Sequence, residues 1–143
     1  MEVEIVLGRP GVGKTAKVIS LLNDHPGTAL LVSLEDSPSN LSKRGLKNAI
    51  ALYWPNRTDL VTLASIVEET QKAKATLVAI ENLELLPLQV KLEALKTSLE
   101  EVGVEHLIIS SHLRRNLVCT SKARIDKIQA KCTVINEPHL SEN

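Results

Sequence analysis

Residues 8 to 15 carry the residue types and spacing that bind phosphate. They read Gly-Arg-Pro-Gly-Val-Gly-Lys-Thr, which matches the P-loop pattern G-x-x-x-x-G-K-S/T. The backbone N–H groups of such a loop can surround an anion, and the helix that follows adds the positive end of its dipole. Lys14 is predicted to reach the β- and γ-phosphates of a nucleotide, and Thr15 to bind Mg²⁺ through its hydroxyl. The residues predicted to contact the nucleotide are Gly8, Arg9, Pro10, Gly11, Val12, Gly13, Lys14 and Thr15.

Three further polar residues each follow an apolar run that reads as a buried strand. Glu35 follows the second predicted strand, Glu81 ends the segment Leu-Val-Ala-Ile-Glu, and His112 comes shortly after a strand predicted over residues 105–110. Ligands of a parallel sheet gather at the carboxyl ends of its strands. We therefore expect Glu35, Glu81 and His112 to converge on the nucleotide.

The two glutamates suggest roles in metal binding and water activation. Glu81 is predicted to face the Mg²⁺ held at Thr15, since the cation prefers oxygen ligands, or else to polarise a water molecule. Glu35 is predicted to orient the attacking water and to take its proton. In the alternative reading, Glu81 only ends a strand, and Glu35 with Asp36 favours the dipole of the next helix. Asp36 is the competing candidate for the base, and we expect it to serve that helix.

The basic residues after the fifth strand could contact phosphate. His112 is predicted to hydrogen-bond the γ-phosphate and to report its loss; a lone histidine is otherwise an ordinary loop residue. Arg114 and Arg115 could touch the phosphate of the nucleotide, of a neighbouring subunit's nucleotide or of a DNA backbone, or could be solvated.

Strands and helices alternate along the chain in the order that a parallel sheet requires. The pattern predicts an α/β fold of three layers, with a mostly parallel sheet covered by helices on both faces. Residues 1–136 are expected to form one domain, and residues 137–143 a disordered tail. Strands are predicted over 3–7, 28–34, 60–63, 76–80, 105–110 and 131–135, and helices over 13–23, 38–53, a segment capped by Thr62 or by a Ser65/Glu68 box, 88–102 and 121–129.

Composition limits the kinds of partner. The 143 residues are 43% hydrophobic and include no Phe, one Trp and one Tyr, so the core must be aliphatic and base stacking on aromatic side chains is not the main binding mode. The formal net charge is zero, so no basic field indicates a polyanion, although a ring of subunits can concentrate charge in its channel.

The two cysteines and the hydropathy profile indicate a cytoplasmic protein. Cys119 and Cys132 lack metal-ligand spacing and are expected to be reduced thiols. The first residues, Met-Glu-Val-Glu-Ile, do not form a signal peptide, and no apolar run approaches the roughly 20 residues of a membrane span. We therefore expect no membrane association.

The order of these motifs resembles the RecA-like ATPase core of DnaB-type replicative helicases, and it looks closest to the phage helicase-primase branch. The similar segments are the P-loop, Leu-Leu-Val-Ser-Leu-Glu-Asp-Ser, Leu-Val-Ala-Ile-Glu-Asn-Leu-Glu-Leu-Leu-Pro and Leu-Ile-Ile-Ser-Ser-His-Leu-Arg-Arg-Asn, and they cover about residues 3 to 116. The resemblance implies that Glu35 is the catalytic base, that Glu81 stands in the Walker B position, where the family has Asp, and that His112 senses the γ-phosphate and couples it to DNA.

The resemblance also implies ATP and Mg²⁺ as ligands, single-stranded DNA as a partner and assembly into a hexameric ring or onto a partner ATPase. The DNA-contacting loop and the arginine-bearing strand that the family places later are not recognisable after residue 116. A non-motor regulator or assembly factor with the same fold is therefore the alternative. A small P-loop kinase is a third candidate, but the sequence has no clear arginine-rich lid of the kind that such enzymes usually carry.

Overall fold

A computed structural model describes residues 1–9, 11–114 and 121–135, and its centre is a six-stranded sheet. Five α-helices and two single 3-10 turns, Thr58–Leu60 and Leu83–Leu85, accompany the strands. The elements in chain order are β1 Glu2–Gly8, α1 Lys14–Asp24, β2 Ala29–Ser33, α2 Pro38–Lys43, β3 Ala49–Tyr53, α3 Leu63–Ala73, β4 Leu77–Glu81, α4 Leu92–Glu101, β5 His106–His112, α5 Lys122–Ile125 and β6 Lys131–Val134.

All six strands run parallel in the order β3-β2-β4-β5-β1-β6. Strand β5 therefore lies between β1, which leads into the P-loop, and β4, which ends at Glu81. In the register of these strands Gly8 pairs with His112, and Ser33 pairs with Glu81. The sheet thus brings the ends of four strands to one edge, as a parallel arrangement requires.

Aliphatic side chains fill both faces of the sheet. One core contains Ile5, Leu30 and Ile80 with the buried faces of α3 and α4, and the other contains Val6, Leu31 and Ala79 with α1 and α2. Strands covered on both faces read as continuous apolar runs, which explains why Ala29–Ser33 is buried throughout. The structure confirms the predicted α/β fold, a three-layer RecA-like architecture. The predicted boundary at residue 136 and the tail over 137–143 lie outside the described residues.

Several predicted helix ends are confirmed by their capping contacts. The Ser37 hydroxyl accepts a hydrogen bond from the Asn40 N–H at 3.1 Å, with Pro38 at the first helical position. Of the two predicted caps for α3, the structure confirms Thr62, whose reciprocal partner is Ser65; the Ser65/Glu68 box is not the cap. Gly103, with φ of 96°, follows the end of α4.

The predicted helix over 38–53 is wrong in its second half, because α2 ends at Lys43 and residues 49–53 form the edge strand β3. Gly45 has φ of 102°, a left-handed conformation that ends the helix. The side chain of Asn23 then fixes the turn. Its Nδ2 donates to the Gly45 carbonyl at 2.8 Å, and its Oδ1 accepts from the Lys47 N–H at 2.9 Å.

Three other predicted elements differ from the structure in type or extent. Residues 60–63 are not a strand; the 3-10 turn Thr58–Leu60 runs directly into the cap of α3. Helix α4 begins at Leu92 and not at residue 88, and the Leu88 side chain, expected in its buried stripe, is 71% exposed. The short helix predicted over 121–129 is confined to Lys122–Ile125.

Candidate nucleotide site at the carboxyl edge of the sheet

The loop between β1 and α1 has the backbone conformation that its glycines permit. Gly11 and Gly13 have φ of 84° and 100°, in the left-handed region that disfavours other residues. Gly8 is required for a different reason, since a Cβ there would lie 2.6 Å from Cγ2 of Val12. The described part of the loop is therefore compact and leads directly into the first turn of α1. Pro10, one of the predicted contact residues, lies outside the described residues.

Lys14 lies within this loop and is mostly buried. Its ammonium group donates a hydrogen bond to the Gly8 carbonyl at 2.9 Å, and 9% of the residue is exposed. Burial lowers the pKa of Lys14, while the carboxylates of Glu84 and Glu35 act in the opposite direction. The positive charge is thus held beside the loop at a cost in solvation, which an incoming anion would offset.

Glu81 is the last residue of β4 and is 2% exposed. One carboxylate oxygen accepts from the Thr15 hydroxyl at 3.4 Å, and the other accepts from the Ser33 hydroxyl at 3.0 Å. Burial raises the pKa of Glu81 to about 7, and the neighbouring Asp36 contributes to the rise. The adjacent hydroxyl of Thr15 and carboxylate of Glu81 are hard oxygen ligands, so this pair fits the predicted Mg²⁺ site.

Glu35, the predicted base, is held by the residue that follows Glu81. The side-chain amide of Asn82 donates a hydrogen bond to the Glu35 carboxylate at 2.8 Å. The backbone N–H of Asn82 in turn donates to the Ser110 hydroxyl at 2.7 Å. Glu35 is therefore connected to the ends of both β4 and β5.

His112 is the last residue of β5, whereas the sequence predicted that it follows the end of that strand. Its backbone N–H donates to Glu84 at 2.9 Å, and its Nδ1 lies 4.0 Å from the same carboxylate. Glu84 also accepts hydrogen bonds from the hydroxyls of Ser111, at 2.6 Å, and of Ser121. A carboxylate on the turn after β4 thus ties His112 to the start of α5.

Lys14, Thr15, Glu35, Glu81 and His112 line one cavity of about 180 Å³. The structure confirms that Glu35, Glu81 and His112 lie together with the P-loop residues; their convergence on a nucleotide and their chemical roles stay predictions. The residues that line the cavity are Gly11, Lys14, Thr15, Glu35, Asp36, Arg44, Glu81, Asn82, Ser110 and His112.

The competing acidic candidate, Asp36, also lines the cavity, whereas Arg114, the basic candidate that the structure describes, does not. Asp36 serves α2, as expected: its carboxylate accepts from the Asn40 side chain at 2.7 Å and from Arg44 at 3.4 Å. Arg114 is exposed beyond the end of β5, and Arg115 lies outside the described residues. Arg124 donates to the carbonyls of residues 83, 86, 87 and 90 at 2.8 to 3.3 Å, so it braces the loop after β4.

Five residues of the cavity region were not predicted from sequence: Ser33, Arg44, Asn82, Glu84 and Ser110. Ser33 and Asn82 occupy strand-end positions next to Glu35 and Glu81, so the rule that found those glutamates could have included them. Glu84 lacks such a signal, because it lies in a 3-10 turn, and only the fold brings it against His112.

No protein-family model and no curated protein matches the sequence. Among the described residues, no helix combines the length and the apolar character needed to cross a membrane.

Proposed function

We propose that this protein is a RecA-like ATPase of the cytoplasm that binds ATP with Mg²⁺ and hydrolyses it in DNA replication or recombination. One observation supports this function above the others: the P-loop lysine, two strand-end glutamates and a strand-end histidine line the same cavity. The fold supplies a dipole, backbone donors, an ammonium group and carboxylates at one place, which are the parts that phosphoryl transfer needs.

The P-loop side of the cavity would hold the triphosphate. The amides of residues 11 to 15 and the Lys14 ammonium group would bind its oxygens, and Lys14 would leave the Gly8 carbonyl to do so. Thr15 and Glu81 would hold Mg²⁺, which when bound neutralises charge on the phosphates. The Glu81 carboxyl must be ionised for that role, although with a pKa of about 7 it is protonated in a part of the nucleotide-free molecules.

Glu35 would act on the water that attacks the γ-phosphate. Its carboxylate lines the cavity with Lys14, and the Asn82 amide restrains it there. A carboxylate fixed in this way can orient the water and accept its proton. His112, at the end of the neighbouring strand, would contact the γ-phosphate and pass its presence or absence to Glu84.

Single-stranded DNA and other copies of the chain, or a partner ATPase, are the proposed partners. This part of the proposal depends on the motif order that resembles DnaB-type helicases, in which hexameric rings form. The neutral net charge gives the isolated chain little general affinity for a polyanion. DNA binding would therefore depend on assembly.

A non-motor regulator that binds ATP without coupling it to movement is the second candidate. The contacts of Arg124 favour this second candidate. Its guanidinium group donates hydrogen bonds to four carbonyls of its own chain, and without them it could reach the phosphate of a nucleotide on a neighbouring subunit. Binding of ATP could still control assembly in such a protein.

The two candidates are separated by ATP hydrolysis measured against protein concentration, with and without single-stranded DNA. A motor should show a steep dependence on concentration and stimulation by DNA. A regulator should bind ATP with little turnover under either condition. Lys14→Ala should abolish binding and turnover, while Lys72→Ala, a substitution on the exposed face of α3, should change neither. Wild-type protein that fails to bind ATP would contradict both candidates.

A further inference from the structure

Asn82 combines three features that are each unfavourable at an ordinary position. Its backbone is left-handed, with φ of 68° and ψ of 74°. The residue is 6% exposed, and its side-chain Oδ1 has no hydrogen-bond partner among the residues that the structure describes. A left-handed backbone and an unpaired buried carbonyl both raise the energy of the folded state. Glycine would avoid both, so the carboxamide requires another reason.

The orientation of the carboxamide indicates that reason. A carboxylate can only accept hydrogen bonds, so the amide nitrogen must face Glu35, and it does so at 2.8 Å. Ser110 holds the backbone N–H of Asn82 at 2.7 Å from the end of β5. Ser110 therefore fixes the backbone of Asn82, while the side chain of Asn82 holds the Glu35 carboxylate.

The restrained carboxylate and Asn82 both line the cavity that contains Lys14 and Thr15. Glu35 lies on the loop between β2 and α2, a kind of segment that is usually more mobile than the strands it joins. Without Asn82, the Glu35 side chain would be free to turn away through its own rotatable bonds. A displacement of about 1 Å in a reacting group can cost about 100-fold in rate.

We propose that Asn82 is a positioning residue that holds the Glu35 carboxylate for attack of water on the γ-phosphate. In that step the water oxygen forms a bond to the γ-phosphorus, and the bond from this phosphorus to the β–γ bridging oxygen breaks. The bridging oxygen keeps the electron pair and leaves with ADP. One water proton passes to Glu35, which later releases it to solvent. This inference rests on the proposed ATPase activity.

The test is a double-mutant cycle between Asn82→Gly and Glu35→Gln, read by turnover and by ATP affinity. Glycine removes the carboxamide and tolerates the left-handed backbone. We expect Asn82→Gly to lower kcat about 10- to 100-fold while the Kd for ATP changes less than about threefold. In the Glu35→Gln background, Asn82→Gly should cause no further loss of kcat. Asn56→Gly is the matched control, because Asn56 is also left-handed, with φ of 56°, but lies exposed in a loop.

A second cycle in nucleotide-free protein, between Asn82→Gly and Glu35→Ala, gives a readout that does not depend on activity, because alanine removes the acceptor that glutamine would keep. Urea unfolding should show a coupling of about tenfold in the unfolding equilibrium constant between the Asn82 and Glu35 substitutions, since their hydrogen bond involves a charged acceptor. Additive stabilities, or wild-type kcat in Asn82→Gly, would overturn the inference while leaving the ATPase proposal intact. Wild-type protein without ATP hydrolysis would overturn the ATPase proposal and the positioning role together, even if the stability coupling were found.

Discussion

Two cavities open at opposite ends of the sheet, and the smaller one has the features of a binding site. The cavity at the amino ends of the strands measures about 690 Å³, against about 180 Å³ at the carboxyl ends. In the larger cavity the polar groups pair near the surface: His106 lies 3.0 Å from Glu2, whose side chain is 80% exposed. Under the proposed function, the larger volume does not mark the functional cavity.

The carboxyl end differs in how deeply its polar groups are buried. Glu81 and Lys14 are 2% and 9% exposed, and both have pKa values displaced by burial. Charged groups are withdrawn from water only where something offsets the cost, and a bound nucleotide with its metal would do so at this end. Substitutions at the two ends should consequently have very different effects.

The largest effect is expected from Lys14→Ala. Loss of the ammonium group removes a charge-assisted contact to the phosphates, so kcat/KM for ATP should fall by about 1000-fold or more. Lys131→Ala, which alters the cavity at the amino ends, should leave kcat/KM unchanged. Steady-state hydrolysis rates measure both. Equal losses for the two variants would remove the distinction between the two ends.

Glu35→Gln should have the next largest effect and should act on turnover alone. Glutamine keeps the shape of the side chain but cannot take a proton, so kcat should fall about 100- to 1000-fold with the Kd for ATP near the wild-type value. Glu4→Gln provides the comparison at the opposite end, where it should leave kcat unaltered. A wild-type kcat in Glu35→Gln would assign the base to another residue.

The buried carboxyl of Glu81 should make the stability of the nucleotide-free protein depend on pH. Its folded pKa of about 7 lies above its ordinary value of 4.5, so the folded state retains a proton that the unfolded state releases. The contribution to stability is present below pH 4.5 and is lost as the pH rises to 7, by up to about 3 kcal/mol. Urea unfolding at pH 5 and pH 8 should show this loss, and Glu81→Gln should reduce it. An identical pH dependence in both proteins would contradict the burial argument.

A smaller effect is expected from Arg124→Met, which removes the contacts that brace the loop after β4. Removing the guanidinium group leaves the carbonyls of residues 83, 86, 87 and 90 without this donor, so the free energy of unfolding should fall by about 2 kcal/mol. Arg57→Met removes an arginine whose ion pair with Asp59 is more than half exposed, and it should leave the free energy of unfolding nearly unchanged. Chemical denaturation compares the two, and equal costs would show that the brace has no special role.

Local sequence patterns predicted most of the sheet and the positions that meet at its edge. Apolar runs identify buried strands, and parallel pairing places Glu35, Glu81 and His112 at one end. The edge strand β3 was missed because Ala49–Tyr53 is half-buried and continues an apparent helical pattern; its strand state depends on pairing with β2. The roles of Asn82 and Glu84 depend on contacts with residues 28 to 47 positions away, which no local pattern contains.

The central claim is that a nucleotide occupies the carboxyl edge of the sheet. Amide NMR spectra of this 15.6 kDa chain, recorded during titration with Mg²⁺ and a non-hydrolysable ATP analogue, test it most directly. A nucleotide bound at this edge should cause large shift changes at Gly11, Lys14, Thr15 and Asn82, with little change at His106 at the opposite end. Changes centred on His106 and the amino ends of the strands, with the P-loop amides unaltered, would contradict it.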